Sequence, residues 1–138
     1  GVVGTGTTWG TTALEQGIFL NAVMHLEGIP VALPRLSEKD PRGRHLGLSH
    51  HTQTVLRRIV REPVFLPLPV HLRRLPNWEE QLRGLRHRIL WENTEEAFAE
   101  LLTAQLPFST MGRGLRKDPL FFHGVAAVAL FLCRELLN

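Results

Sequence analysis

Cysteine occurs once, at Cys133, so no disulfide can close within the chain, and a reducing compartment suits it. That residue sits in an apolar run, where a buried, inert thiol is expected. Tyrosine is absent, and lysine supplies only 2 of the 16 basic residues. Without aromatic residues interleaved among basic ones, the stacking platform of a single-strand nucleic-acid binder is missing. The longest apolar run, Leu120 to Cys133, contains His123 and falls short of the ~20 residues that a bilayer span requires. No basic stretch leads into an apolar segment near Gly1, so no secretory signal is read. A cytoplasmic location with no membrane partner is therefore expected.

What is present fits one globular domain: 138 residues, 43% hydrophobic and 21% charged, are enough to bury a core. The net charge is +3, carried almost entirely by arginine, which is the better fork for phosphates and carboxylates. Arg57, Arg58, Arg61, Arg73, Arg74, Arg83, Arg86 and Arg88 crowd the middle of the chain. They read as a solvated face paired with Glu79, Glu80 and Glu92, and nucleic acid is not expected as a partner.

Periodicity and caps place the elements. Thr12 and Glu15 have capping-box spacing, and Leu14, Ile18, Ala22 and Leu26 then recur every fourth residue up to Gly28. Ile29 to Leu36 reads as a buried strand with Pro30 and Pro34 near its ends, and Ser37 to Gly47 as a loop. Ser49 caps a helix carrying Val55, Leu56, Ile59 and Val60. Val64 to Val70 is extended, Asn77 opens a short helix, and Arg88 to Trp91 is a strand. A helix over Thr94 to Gln105, a strand over Phe108 to Met111 and a helix from Asp118-Pro119 to Leu137 complete the chain. Such alternation predicts an α/β fold, a layered sandwich with a mainly parallel, Rossmann-like sheet, forming one domain over residues 1–138 or the carboxyl-terminal part of one.

Three segments carry the chemistry. Gly4, Gly6 and Gly10, with Thr5 and Thr7 between them, precede a helix and suit a backbone cradle for an anion. The segment is neither a phosphate-binding Walker sequence nor a full dinucleotide fingerprint, since no Gly-Lys-Ser/Thr follows and the third glycine is misplaced. Glu15 lies one turn into the helix, placed to bond a polar ligand or to cap. The second segment runs from Asp40 through Arg42, Arg44, His45, Ser49, His50 and His51 to Thr52. Its guanidinium groups suit phosphate or carboxylate, and His50 or His51, in a helix's first turn, suits proton transfer as a neutral imidazole. The third is Thr110-Met111-Gly112-Arg113-Gly114, which presents Arg113. Ligands of open α/β sheets bind beyond strand ends, so the three loops are expected to share one edge.

Other chemistries fit less well. His45, His50, His51 and Asp40 are candidate zinc ligands, but adjacent helical histidines point apart and no His-Glu-x-x-His or Cys-x-x-Cys pair occurs. No metal is therefore assigned. Gly47-Leu48-Ser49-His50-His51 lacks the closing glycine of a nucleophile elbow. His25, His71, His87 and His123 are isolated along the chain and read as core-edge or surface residues.

Together, Gly1 to Thr7, Glu15-Gln16-Gly17, Asp40-Pro41-Arg42, Arg44-His45, Gly47 to Thr52 and Thr110 to Gly114 resemble the carboxyl-terminal part of an uncharacterised bacterial family, catalogued as a domain of unknown function. The likeness supplies no activity and names no cofactor. It implies a strand ahead of Gly1, with Val2 and Val3 in the loop, and hence an incomplete fragment of a larger domain. An exposed apolar sheet edge would then associate with the missing amino-terminal part or with a second copy. The expected function is binding of a small anion, phosphate or nucleotide, with or without catalysis. The alternative is a noncatalytic regulatory or protein-interaction domain.

Overall fold

The computed structural model describes residues 3–137, so Gly1 and Val2 of the opening loop lie outside the described residues. Among the described residues, five α-helices and six short strands follow in the order α1 Leu14–His25, β1 Leu36–Ser37, β2 Gly47–Leu48, α2 His50–Thr54, β3 Phe65–Pro69, α3 Trp78–Leu82, β4 Arg88–Glu92, α4 Glu95–Thr103, β5 Ser109–Thr110, β6 Arg113–Gly114 and α5 Pro119–Leu137. Mixed helix and strand are thus as expected for an α/β chain. In place of one mainly parallel sheet, however, the described residues form three two-stranded sheets. The β3–β4 pair is parallel, and the β1–β2 and β5–β6 pairs are antiparallel.

Proline explains why the parallel sheet stays small. Phe65 pairs with β4 and also exchanges backbone bonds with the preceding segment, donating to the Pro30 carbonyl and accepting from Ala32 N–H, each at 2.9 Å. Residues 67 and 69 face that same neighbour, because strand residues alternate sides, but both are proline and have no N–H to donate. Pairing therefore stops at the single Val31–Phe65 bridge, and the expected strand over Ile29 to Leu36 does not form. Its last residue instead joins Ser37 in β1 against β2, with Leu36 opposite Leu48.

Helix α5 lies on β3 and β1, and its Leu120, Phe122, Ala127 and Phe131 enter a core with Leu36, Leu48, Leu66, Leu68 and Leu72. Cys133, further along the same helix, is exposed rather than buried. α1 turns a different face inward from the one expected. Gly17 and Leu20 are buried, whereas Ile18 and Leu26 are exposed. Apolar residues surround this helix, so an i, i+4 row did not define a unique inner face. A Cβ at Gly17 would lie 2.7 Å from the Ile59 Cβ, so glycine permits α1 to rest on the π-helical turn Val55–Ile59 that prolongs α2.

The start of α1 also differs in mechanism. Thr12 Oγ1 accepts from Val3 N–H at 2.9 Å rather than closing a capping box, and Thr11 Oγ1 accepts from Ala13 N–H at 3.2 Å. The opening loop thereby becomes a hairpin tied to the helix start, with Gly4 bridged to Thr11. Ser49 does cap α2 as expected, accepting from His51 N–H. Asp118 precedes α5 as expected, but its carboxylate reaches out of the helix. It accepts from Ser37 Oγ at 2.6 Å, Glu38 N–H at 3.0 Å and Arg113 Nε at 2.9 Å. That one side chain fastens the loop after β1 and the β5–β6 turn to the base of α5.

Candidate ligand cleft

Three segments far apart in sequence meet at one cleft of about 290 Å³, lined by Gly4, Gly6, Arg35, Arg42, Arg44, His45, His51 and Met111. They are the opening glycine loop, the arginine–histidine segment and the turn between β5 and β6. Arg35 was not among the candidates. Its sequence signal is a lone charge in the apolar stretch from Ile29 to Leu36.

Behind the cleft, buried acids hold the guanidinium groups. Asp40 has a fully buried side chain and accepts from Arg42 Nε and Nη2, both at 2.9 Å, from Arg35 Nη2 at 3.3 Å and from Arg113 Nη2 at 3.5 Å. The Arg42 hydrogen bonds hold the Asp40 carboxyl well below the usual carboxylate range, against the opposing effect of burial. Arg42 thus spends its bidentate face on Asp40, and Arg113 is bonded to Asp118 and Asp40. Arg44 is exposed and makes no ion pair among the described residues. Four guanidinium groups against two carboxylates leave the cluster with two positive charges.

The histidines form its second feature. His45 comes from a 3₁₀ turn over Gly43–His45, and His50 and His51 open α2. Their rings lie in contact, with centroids 4.0 Å apart for His50–His51, 4.9 Å for His45–His50 and 5.1 Å for His45–His51. The two adjacent histidines therefore do not point apart. Burial, then the nearby Arg42 charge, pushes His45 down to about 4. His50 is lowered by burial and by Arg44 and Arg42, and His51 by burial, His50 and the neighbouring arginines. At neutral pH all three are uncharged and each keeps a basic lone pair.

The remaining candidates divide by position. In the glycine loop, Gly6 has φ +82°, a conformation that favours glycine, and it faces the cleft with Gly4. Thr5, Thr7 and Gly10 turn inward to one another: Thr5 N–H donates to the Gly10 carbonyl at 2.7 Å, Gly10 N–H donates to Thr7 Oγ1 at 3.0 Å, and the two hydroxyls lie 2.9 Å apart. These three hold the loop's shape rather than line the cleft. Ser49 Oγ lies 2.7 Å from His45 Nδ1, and Thr52 Oγ1 accepts from Arg35 N–H at 3.0 Å. Both sit just behind the lining. Glu15 faces a separate groove of about 620 Å³ between α1 and residues 29–33, which shares Arg35 and His51 with the cleft.

A second histidine pair, read from sequence as isolated, is assembled across the core. His71 and His123 are buried and stacked with centroids 3.7 Å apart, and Phe98 stacks on His123 at 4.1 Å. Thr94 Oγ1 lies 2.8 Å from His123 Nδ1, and His71 Nε2 lies 2.7 Å from Glu95 Oε1. Burial, reinforced by His71, pushes His123 down to about 4. Its partners His71, Thr94 and Phe98 come from the 3₁₀ turn after β3, the residue before α4, and α4, distances along the chain that no local motif spans.

A mixed α and β domain with a basic, histidine-floored cleft is the class that this architecture defines. Residues 1–129 match the family described as "Protein of unknown function (DUF3866)", and the chain belongs to that family. No curated protein and no solved structure matches the chain.

Proposed function

We propose that the cleft binds a small anion of the phosphate or carboxylate class, with Arg44 as its main charged contact. The observation that carries this reading is the convergence of three distant segments on one basic cleft. The glycines at Gly4 and Gly6 allow close approach of a ligand to the backbone, and Arg35 and Arg42 contribute the donors that Asp40 leaves free. Inorganic phosphate is expected to raise the melting temperature of the metal-free chain above that in chloride of equal ionic strength. Arg44→Ala should weaken phosphate binding by about tenfold or more, the scale of one charge-assisted contact, while leaving the unliganded melting temperature unchanged. Equal responses in both proteins, or none in either, would refute the assignment.

A second reading, association through α1, is favoured by one specific observation. Ile18, Phe19, Leu26 and Ile29 are 58, 65, 79 and 54% exposed along one helix and its exit. Large apolar side chains clustered on a surface mark interaction sites. In sedimentation velocity the chain should then show a concentration-dependent coefficient that Phe19→Glu lowers to the monomer value. A monomer at every concentration removes this reading.

A further inference from the structure

We propose that His45 Nε2, His50 Nε2 and His51 Nδ1 bind one divalent transition-metal ion of the zinc class, leaving a coordination position open to the cleft. These three nitrogens are buried and have no hydrogen-bond partner among the described residues. A buried polar atom without a partner costs about 1–3 kcal/mol, and three gathered at one spot call for a shared one. Ligand atoms of the same three residues lie within 4.8 Å of one another. Tetrahedral zinc with metal–nitrogen bonds of about 2.0–2.1 Å needs neighbouring ligands about 3.3 Å apart, so modest ring rotations close the set.

Ser49 supplies the orienting contact. Its Oγ accepts from His51 N–H at 3.3 Å and lies 2.7 Å from His45 Nδ1. With the proton on Nδ1 donated to that oxygen, His45 Nε2 is left as a lone pair aimed into the cluster, the arrangement found around ligating histidines. An all-imidazole set selects zinc, copper, nickel or cobalt over magnesium and calcium, which prefer oxygen. Asp40 does not complete the set, because both its oxygens are engaged by arginine. Three protein ligands with a vacant fourth position is the pattern of a reactive rather than a closed structural site. His45 and His51 line the cleft, so the vacancy faces the proposed anion. Ligation then takes the place of the proton-transfer role expected of His50 and His51.

The test titrates zinc chloride alone into the chelator-stripped full chain at pH 7.5, with no phosphate present, by calorimetry. One equivalent should bind with micromolar or tighter affinity, and cobalt should give the visible bands of a tetrahedral nitrogen site. His50→Ala and His51→Ala should each weaken zinc binding at least about 100-fold, and Ser49→Ala about 10- to 100-fold. His25→Ala, at an exposed histidine, should leave it unchanged. Circular dichroism of each variant separates lost ligation from lost folding. No zinc binding by the wild type, or full affinity in folded His50→Ala and His51→Ala, would overturn the site. Because the phosphate experiment uses metal-free protein, either assignment can fail while the other stands.

Discussion

Asp118→Ala is expected to destabilise the fold by about 3–5 kcal/mol, the loss typical of breaking a buried ion pair from one side. The Asp118 side chain is fully buried and bonds Arg113 Nε, the Ser37 hydroxyl and Glu38 N–H. Alanine would leave the Arg113 guanidinium, whose side chain is only 17% exposed, with just its longer 3.5 Å contact to Asp40, and would free two further donors. It would also release the loop after β1 and the β5–β6 turn from α5. Against a total stability of about 5–15 kcal/mol, that loss is large. The urea midpoint should fall sharply with little change in slope, and Asp118→Asn, which keeps an acceptor, should fall less. A loss under about 1 kcal/mol would show that the carboxylate does not fasten these segments.

Acid should weaken the metal-free fold well before its carboxylates titrate. His45 and His123 are neutral in the folded chain, each with a pKa of about 4, against an unfolded value of 6.5. Between those values the unfolded chain binds more protons than the folded one, so stability rises with pH across the window and falls as pH drops through it. A shift of that size corresponds to about 3 kcal/mol for each buried imidazole. His50 and His51 are lowered too and act in the same direction. The depressed Asp40 carboxyl adds a further loss only below the unfolded carboxylate range, near pH 4. Urea midpoints should therefore be level above pH 7 and decline steeply from about 6.5 towards 4. His123→Asn should remove part of that decline, because asparagine does not titrate. A flat profile down to pH 4.5 would contradict the neutral, buried state of these rings.

Local signals carried much of this fold. The hydroxyl at Ser49, the Asp118-Pro119 pair and the apolar stretches around β3, β4 and α4 mark real boundaries, because each is set by contacts within a few residues. Where a group had two eligible partners, the distant one prevailed. Thr12 bonds Val3 rather than its own helix, and Asp118 bonds Ser37 and Glu38 rather than the α5 amides. The extent of the parallel sheet depended on the side to which Pro67 and Pro69 turn, and that follows from register with residues 30–32.

The cleft was legible as a meeting of three loops, though not in its internal chemistry. Sequence presented Arg42 as a ligand fork, and only the fold shows its Nε and Nη2 already held by Asp40. Convergence of His50 and His51 on His45 required the 3₁₀ turn that brings His45 under the start of α2. The His71–His123 stack joins positions 52 residues apart, beyond the reach of any spacing rule.

Three distant segments that make one ligand site, as proposed, should respond to a ligand as a unit. Amide chemical-shift mapping by NMR during a titration of the full chain with inorganic phosphate tests it most directly. Gly4, Gly6, the stretch from Arg42 to His45 and Met111 should shift together, with one saturation curve. Shifts confined to a single one of these segments, or spread across the arginines between residues 57 and 88, would contradict it.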